Sequence, residues 1–243
     1  MRIINNKFDI IIFSGRPGAG KSEVIDFIDR QPVEKRIKMF GIGEHSTLDD
    51  FVDLWIKGEE DDILEELGRP RLYTQKDPTG YSVSDKILYK FLIKKINTAF
   101  NKKYSKNTDF FKNKTLFIEF SRGGKDAYQS AFSLLSEEIL KRCVVFFTRV
   151  SFEESCRKNR KRYNPDAKDS ILQHALPDYV MENYRYDDWD SLTSSSPEYI
   201  ETNGLKIPYY TFSNEPEITN DFTKLEPEVI KGFNMLMRNA VKY

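Results

Sequence analysis

The chain has 243 residues with 38 basic and 38 acidic side chains, a formal net charge of +0. Such a balance supplies no global field to draw in nucleic acid or an acidic membrane surface. Two cysteines and two histidines, with no CxxC pair, exclude a disulfide framework and a structural zinc site, and an aromatic content of 14% excludes general disorder.

In chain order, the N-terminal MRIINNKFDIIIFSG has a short apolar run without an A-x-A cleavage pattern, so it reads as a first strand and not as a signal peptide. No apolar run approaches the ~18 residues of a membrane span, and a cytoplasmic location without membrane partners is expected. FDIIIFS suits a strand buried on both faces. A glycine-rich loop follows, then SEVIDFIDR with helical spacing. RIKMFGI, residues 36–42, reads as a second strand. LDDFVDLWI and DDILEEL read as one or two amphipathic helices, with Leu48, Phe51, Val52 and Trp55 on one face. GRPRLYTQKDPTGYS reads as a loop, and DKILYKFLIKKINTAF as a long helix. TLFIEF, CVVFFTRV and IPYYTF are further strands, and AYQSAFSLLSEEILK is a helix. SFEESCRKNRKR is a helix with a capping box, Ser151 as N-cap and Glu154 three positions on. Residues 163–204 are polar and irregular with helical turns, SLTSSS being a loop, and LEPEVIKGFNMLMRNAV closes the chain as a helix. Strands alternating with helices predict an α/β domain with a mainly parallel sheet, and no linker divides the chain.

The segment GRPGAGKS fits G-x-x-x-x-G-K-[ST], the Walker A pattern, over Gly15, Arg16, Pro17, Gly18, Ala19, Gly20, Lys21 and Ser22. Glycines let consecutive backbone N–H groups turn inward on an anion, and the following helix adds its positive dipole end. Lys21 is placed to reach β- and γ-phosphates, and the Ser22 hydroxyl to take a position on Mg2+. A glycine turn that matches by chance is the alternative, and it is disfavoured by the strand before and the helix after.

With Pro17 and Gly18, G-x-P-G-A-G-K-S resembles the loop of adenylate kinase and related P-loop small-molecule kinases of the nucleoside and nucleotide group. The resemblance is tight over the loop, and elsewhere it is only a pattern of elements. It implies a three-layer P-loop fold, ATP and Mg2+, a helical acceptor-side insertion after the second strand (residues 43–110) and a lid (residues 151–196). It further implies that arginines of the lid helix close over the transferring phosphoryl group, which selects Arg157 and Arg160 in CRKNRKR, and that the turn SNEPE touches adenine through backbone. A solvated basic face and an RNA-contacting patch are the competing readings of those arginines.

Other candidates come from the residues themselves. Glu119 lies near the C-terminal end of a buried strand, where parallel sheets bind ligands, and can hold Mg2+ or take a proton; an Asp is usual there, and a salt-bridged carboxylate is the alternative. Arg122 with the two glycines after it is a candidate for the acceptor pocket. Asp187 and Asp188 in YRYDDWD are tentative acceptor ligands, against a packed loop anchored by Trp189. Arg69 and Arg71 could meet a phosphate on the acceptor, against plain loop charges. His174 is read as a packing residue outside the site.

No N-K-x-D follows a strand and no LSGGQ-like signature occurs, which argues against a GTPase and a transporter ATPase. The reading that results is ATP-dependent phosphoryl transfer to a small-molecule acceptor such as a nucleoside, nucleotide or other hydroxylated metabolite, with Lys21, Glu119, Arg157 and Arg160 as catalytic residues. A nucleotide-binding regulator or slow NTPase without an acceptor is the alternative, and an RNA-processing kinase a third.

Overall fold

A computed structural model describes residues 2–164 and 175–243; the His174 reading and part of the expected lid lie outside the described residues. Short strands β1 (Ile3–Ile4) and β2 (Lys7–Phe8) form a hairpin ahead of β3 (Ile10–Gly15). Then come α1 (Lys21–Asp29), α2 (Val33–Phe40), β4 (Glu44–Asp49), α3 (Asp50–Glu66), β5 (Thr74–Asp77), β6 (Gly80–Val83), α4 (Ile87–Lys103) and α5 (Thr108–Asn113). The second half runs β7 (Lys114–Phe120), α6 (Ala127–Leu134), α7 (Glu137–Arg142), β8 (Cys143–Arg149), α8 (Phe152–Arg162), α9 (Asp178–Met181), α10 (Trp189–Thr193), β9 (Tyr199–Thr202), β10 (Leu205–Ser213) and α11 (Phe222–Lys242).

The six-stranded central sheet has the order β4-β7-β3-β8-β10-β9. Its pairings are parallel except for β9, which pairs antiparallel with β10 at the edge. On β3, Ile10 and Ile12 enter one core with residues of α4, α6 and α7, while Ile11 and Phe13 enter another with residues of α1, α2 and α11. A strand with helices on both faces needs apolar residues at every position, which is why FDIIIF reads as a run and not as an alternation. The result is the expected three-layer α/β fold with a mostly parallel sheet.

Several local readings change. Residues 33–40 are helical, not a strand: Arg36 and Phe40 turn inward, and Gly41 (φ 66°) closes the helix in the left-handed region. The second sheet strand is instead EHSTLD, an edge strand only half-buried, so it carries no apolar run. Leu48 belongs to this strand and not to α3. Residues 74–83 form a hairpin rather than a loop, pinned to α3 by buried Asp61, which accepts from the backbone N–H of Leu72, Tyr73 and Thr74 and from the Thr74 hydroxyl at 2.7–3.0 Å. The helix read over residues 127–141 is two, with Ser136 capping the second. Residues 199–202, read as irregular, are strand β9. Of the capping box only half forms: Ser151 Oγ accepts from Glu154 N at 3.2 Å, but the Glu154 carboxylate goes to Arg157 and Glu215 takes the Ser151 N–H.

Candidate nucleotide and acceptor cleft

The glycine-rich loop joins β3, in the middle of the sheet, to α1. Gly15 packs so close to β8 that a Cβ there would sit 2.2 Å from the Thr148 carbonyl oxygen. Gly20, the N-cap of α1, has φ 110° and offers no side-chain cap, so the first-turn N–H groups of α1 are left to meet an anion. The loop is held from behind. Asn214, from SNEPE, donates to Ala19 O at 2.8 Å and accepts from Ile218 N at 3.0 Å. Ser155 on α8 donates to Pro17 O at 2.7 Å.

The loop opens into a cleft of about 620 Å³ between the sheet's C-terminal edge, α8, and the segment from α3 to α4. Lys21 stands at its floor, donating to Ser121 Oγ at 2.8 Å and Arg16 O at 3.2 Å. Beside it are two carboxylates on neighbouring strands: Asp49 ends β4 and is the register partner of Glu119 on β7. Asp49 accepts from Phe51 N at 2.8 Å and so caps α3. Burial, and then the charge of Asp49, push the Glu119 carboxyl up to about 7. Burial, and then the charge of Asp50, push Asp49 up to about 6. Burial pulls the Lys21 ammonium down, opposed by Glu119 most strongly and by Asp49 next. Two acids raised and a cation lowered by burial beside one another are the kind of perturbation that clusters at functional sites.

Asp50, next to Asp49, pairs with Arg122 at 2.5 Å, and both are buried. Arg122 also donates to the carbonyls of Ser121 (2.7 Å) and Tyr89 (3.1 Å) and lies over the Tyr89 and Phe120 rings. Lining the opposite wall are Lys158, Lys161 and Arg162 of α8. Lys158 is buried, 3.0 Å from Glu217. Burial lowers the Arg162 guanidinium, and Glu23 in the first turn of α1 opposes that effect.

Of the eight loop residues, Pro17, Gly18, Gly20, Lys21 and Ser22 line this cleft, together with Glu119 and Arg122. It directs the Arg16 side chain away from the cradle, onto the carbonyls of Tyr184 and Val150 at 2.9 Å each and onto Asp187 at 2.8 Å. Asp187 is thereby an internal partner and not a cleft residue. Asp188 accepts from the N–H groups of Tyr128 and Gln129 at the start of α6. Arg71 is spent on Asp62, Glu65 and Thr74, while Arg69 lies exposed outside the cleft lining.

Arg157 and Arg160 face outward. Arg157 pairs with Glu154 and Glu217, and Arg160 pairs with Asp178. The buried face of α8 is Ser155, Cys156, Lys158 and Asn159, which turns Arg162 rather than Arg157 toward the loop. Sequence reading missed Asp49, Asp50, Ser121 and Lys158. A signal existed for the first two: Asp before an apolar helical pattern is an N-cap signature, and an N-cap following a strand falls at the sheet's ligand-binding edge.

No family model and no curated relative matches the chain. Among solved structures it is similar to a gluconokinase from Sinorhizobium meliloti, at TM-score 0.50 and 12% identity, covering 96% of each chain. A sugar kinase from a Janibacter species superposes more loosely, at TM-score 0.42 and 9% identity, covering 95% of this chain and 97% of that one. The first likeness shows a shared α/β fold.

Proposed function

We propose that the protein transfers the γ-phosphoryl group of ATP to the hydroxyl of a small-molecule acceptor. The observation that carries the reading is one cleft holding three parts: an uncapped helix N-terminus with Lys21, a pair of register-matched carboxylates, and a basic helix wall. A loop that only bound nucleotide would have use for one carboxylate, on Mg2+, and the second is left for a proton. The fold's likeness to a gluconokinase supports the same reading.

The loop N–H groups and Lys21 bind the β- and γ-phosphates. The donor set suits Mg2+, a hard cation that takes one or two carboxylates and leaves room for phosphate oxygens and water. Glu119, which pulls hardest on Lys21, and the Ser22 hydroxyl would hold it. Bound there, Mg2+ would offset phosphate charge. Asp49, on the acceptor side at the start of α3, takes the proton of the attacking hydroxyl at its carboxylate oxygen. Arg162 and Lys161 take the place assigned from sequence to Arg157 and Arg160, lying along the donor phosphates and stabilising charge that develops during transfer. Residues 43–110 shape the acceptor side. Within the range 151–196 expected of a lid, α8 supplies the wall over the donor. Adenine falls to the turn around Asn214, next to the loop it braces.

The test is ADP release from Mg·ATP with and without pooled nucleosides, sugars, polyols and hydroxy acids, with Lys21→Ala as the blank. A pool that raises turnover by the native protein and not by the variant supports transfer. Nucleotide binding with no pool-dependent ADP release, or turnover that survives Lys21→Ala, overturns it.

A further inference from the structure

We infer that the acceptor half of the cleft takes an uncharged hydroxyl compound with an aromatic or comparably apolar body, and disfavours acceptors bearing a phosphate or carboxylate. This rests on the transfer reading above for what the bound compound undergoes, and on the cleft alone for what it binds.

The acceptor half is the part bounded by α3, β6, α4 and the end of β7. Its wall is apolar: Phe51, Leu54, Val83, Leu92, Phe120 and, from α9, Val180. Such a wall favours a ligand that removes apolar surface from water, at roughly 25 cal/mol per Å². A polyhydroxylated acid would instead have its hydroxyls stripped of water against side chains that cannot replace the lost hydrogen bonds.

Charge points the same way. Among the described residues lining this half, Arg122 is the guanidinium; its Nη1 meets Asp50 and Ser121 O, and its Nη2 donates to Tyr89 O. An anion that took Nη1 would displace a carboxylate held at 2.5 Å and leave that carboxylate buried without its partner. On the same floor Asp50 is matched by Arg122 and Glu119 lies beside Lys21, which leaves Asp49 as the acid an incoming anion meets. Lys21 is turned to the loop and Ser121, and the cations of α8 lie on the donor wall.

What the half does offer is neutral hydrogen bonding. The hydroxyls of Tyr89 and Tyr184 stand 3.3 Å apart at the cleft wall, able to donate to or accept from the polar edge of an uncharged ring. An aromatic or heteroaromatic alcohol matches each of these features. A sugar acid lacks the apolar body, and a phosphomonoester brings a charge that no free cation among the described residues of this half is placed to meet.

The experiment is calorimetric titration of acceptors into the full chain holding Mg2+ and a non-hydrolysable ATP analogue. Thymidine and pyridoxine are the uncharged aromatic probes, thymidine 5′-monophosphate and gluconate the anionic ones, and glucose the uncharged probe without an apolar body. At least one aromatic probe is expected to bind about tenfold or more tighter than gluconate, the monophosphate and glucose. Val83→Lys, at the half-exposed rim, is expected to narrow that gap by about tenfold by placing a cation where none stands. Tighter or equal binding of gluconate or the monophosphate overturns the inference, as does failure of both aromatic probes to bind. ADP release, measured alongside with ATP, separates the two claims. Aromatic binding without turnover keeps this inference and sinks the transfer reading; turnover with gluconate and not with the aromatic probes does the reverse.

Discussion

At the scale of single residues, the helical wheel decides which cations of a basic helix line the cleft. Arg157, itself half-exposed, is held by Glu154 and Glu217, and exposed Arg160 by exposed Asp178. Alanine at either position is therefore expected to change ADP release less than about threefold, since exposed pairs contribute little. Arg162→Ala, which removes a cleft cation, is expected to lower kcat by about 10²-fold. Equal effects at all three positions would show that α8 does not face the phosphates in this orientation. Lys21→Ala is expected to reduce turnover by about 10³-fold with an unchanged melting temperature. The register-paired acids set the pH profile. A base held at about 6 beside an acid at about 7 must lose its proton to work, so kcat/KM is expected to rise through pH 6–7 and then level off. Asp49→Asn should remove the rise together with most of the activity; a profile unchanged in Asp49→Asn would assign the proton elsewhere.

At the scale of elements, several charged residues that look like ligands in a list of motifs are structural once their helices are placed. Asp188 satisfies two N–H groups at the start of α6. Asp188→Ala is expected to cost about 1 kcal/mol of stability, the usual worth of a helix cap, with KM for the acceptor unmoved. A raised KM at constant stability would return Asp188 to the acceptor site. Asp61 is the larger case. Its carboxylate is completely buried and accepts four hydrogen bonds that tie the β5–β6 hairpin to α3. Asp61→Ala leaves those donors without a partner and is expected to destabilise the protein by about 2–3 kcal/mol, with hydrogen exchange rising first in residues 72–83.

For the molecule as a whole, the cleft's acids are a source of pH-dependent stability. Glu119 is raised from 4.5 to about 7, and Asp49 from 3.8 to about 6; Asp9, buried beneath the sheet with Arg142 at 3.5 Å, is raised from 3.8 to about 6, chiefly by burial. A carboxyl with a folded pKa above its unfolded one stabilises the fold while protonated. That contribution is complete below about pH 4 and is lost as pH rises through 6–7. The ligand-free protein is therefore expected to lose melting temperature between pH 5 and pH 7.5, and Glu119→Gln to flatten part of that slope. A slope identical in Glu119→Gln and the native protein would show that Glu119 titrates at its ordinary value. No helix among the described residues is long and apolar enough to cross a membrane.

How much of this was legible in advance follows from the range of each interaction. The loop, its strand and its helix are local: glycine freedom, an apolar run and a helical stripe lie within some twenty consecutive residues, so GRPGAGKS and its flanks could be read directly. The parallel sheet was legible because β3, β7, β8 and β10 each carry a central run buried on both faces, which is mostly apolar. Edge strands β4 and β9 escaped because half-burial lets them carry polar residues; β4 pairs with β7, far along the chain, whereas β9 turns straight into β10 through Asn203 and Gly204. Asp49 and Glu119 lie 70 positions apart and meet only through the β4–β7 register. Which face of α8 meets the loop depends on Ser155 reaching Pro17 and Asn159 reaching Leu176, contacts that no helical period specifies. The sequence alone determined where the glycine-rich loop lies, between a buried strand and a helix, because such a loop is built from backbone freedom over eight residues. Tertiary structure alone decided which acids and cations share its cleft, because their charges act through space, between residues that only folding brings together.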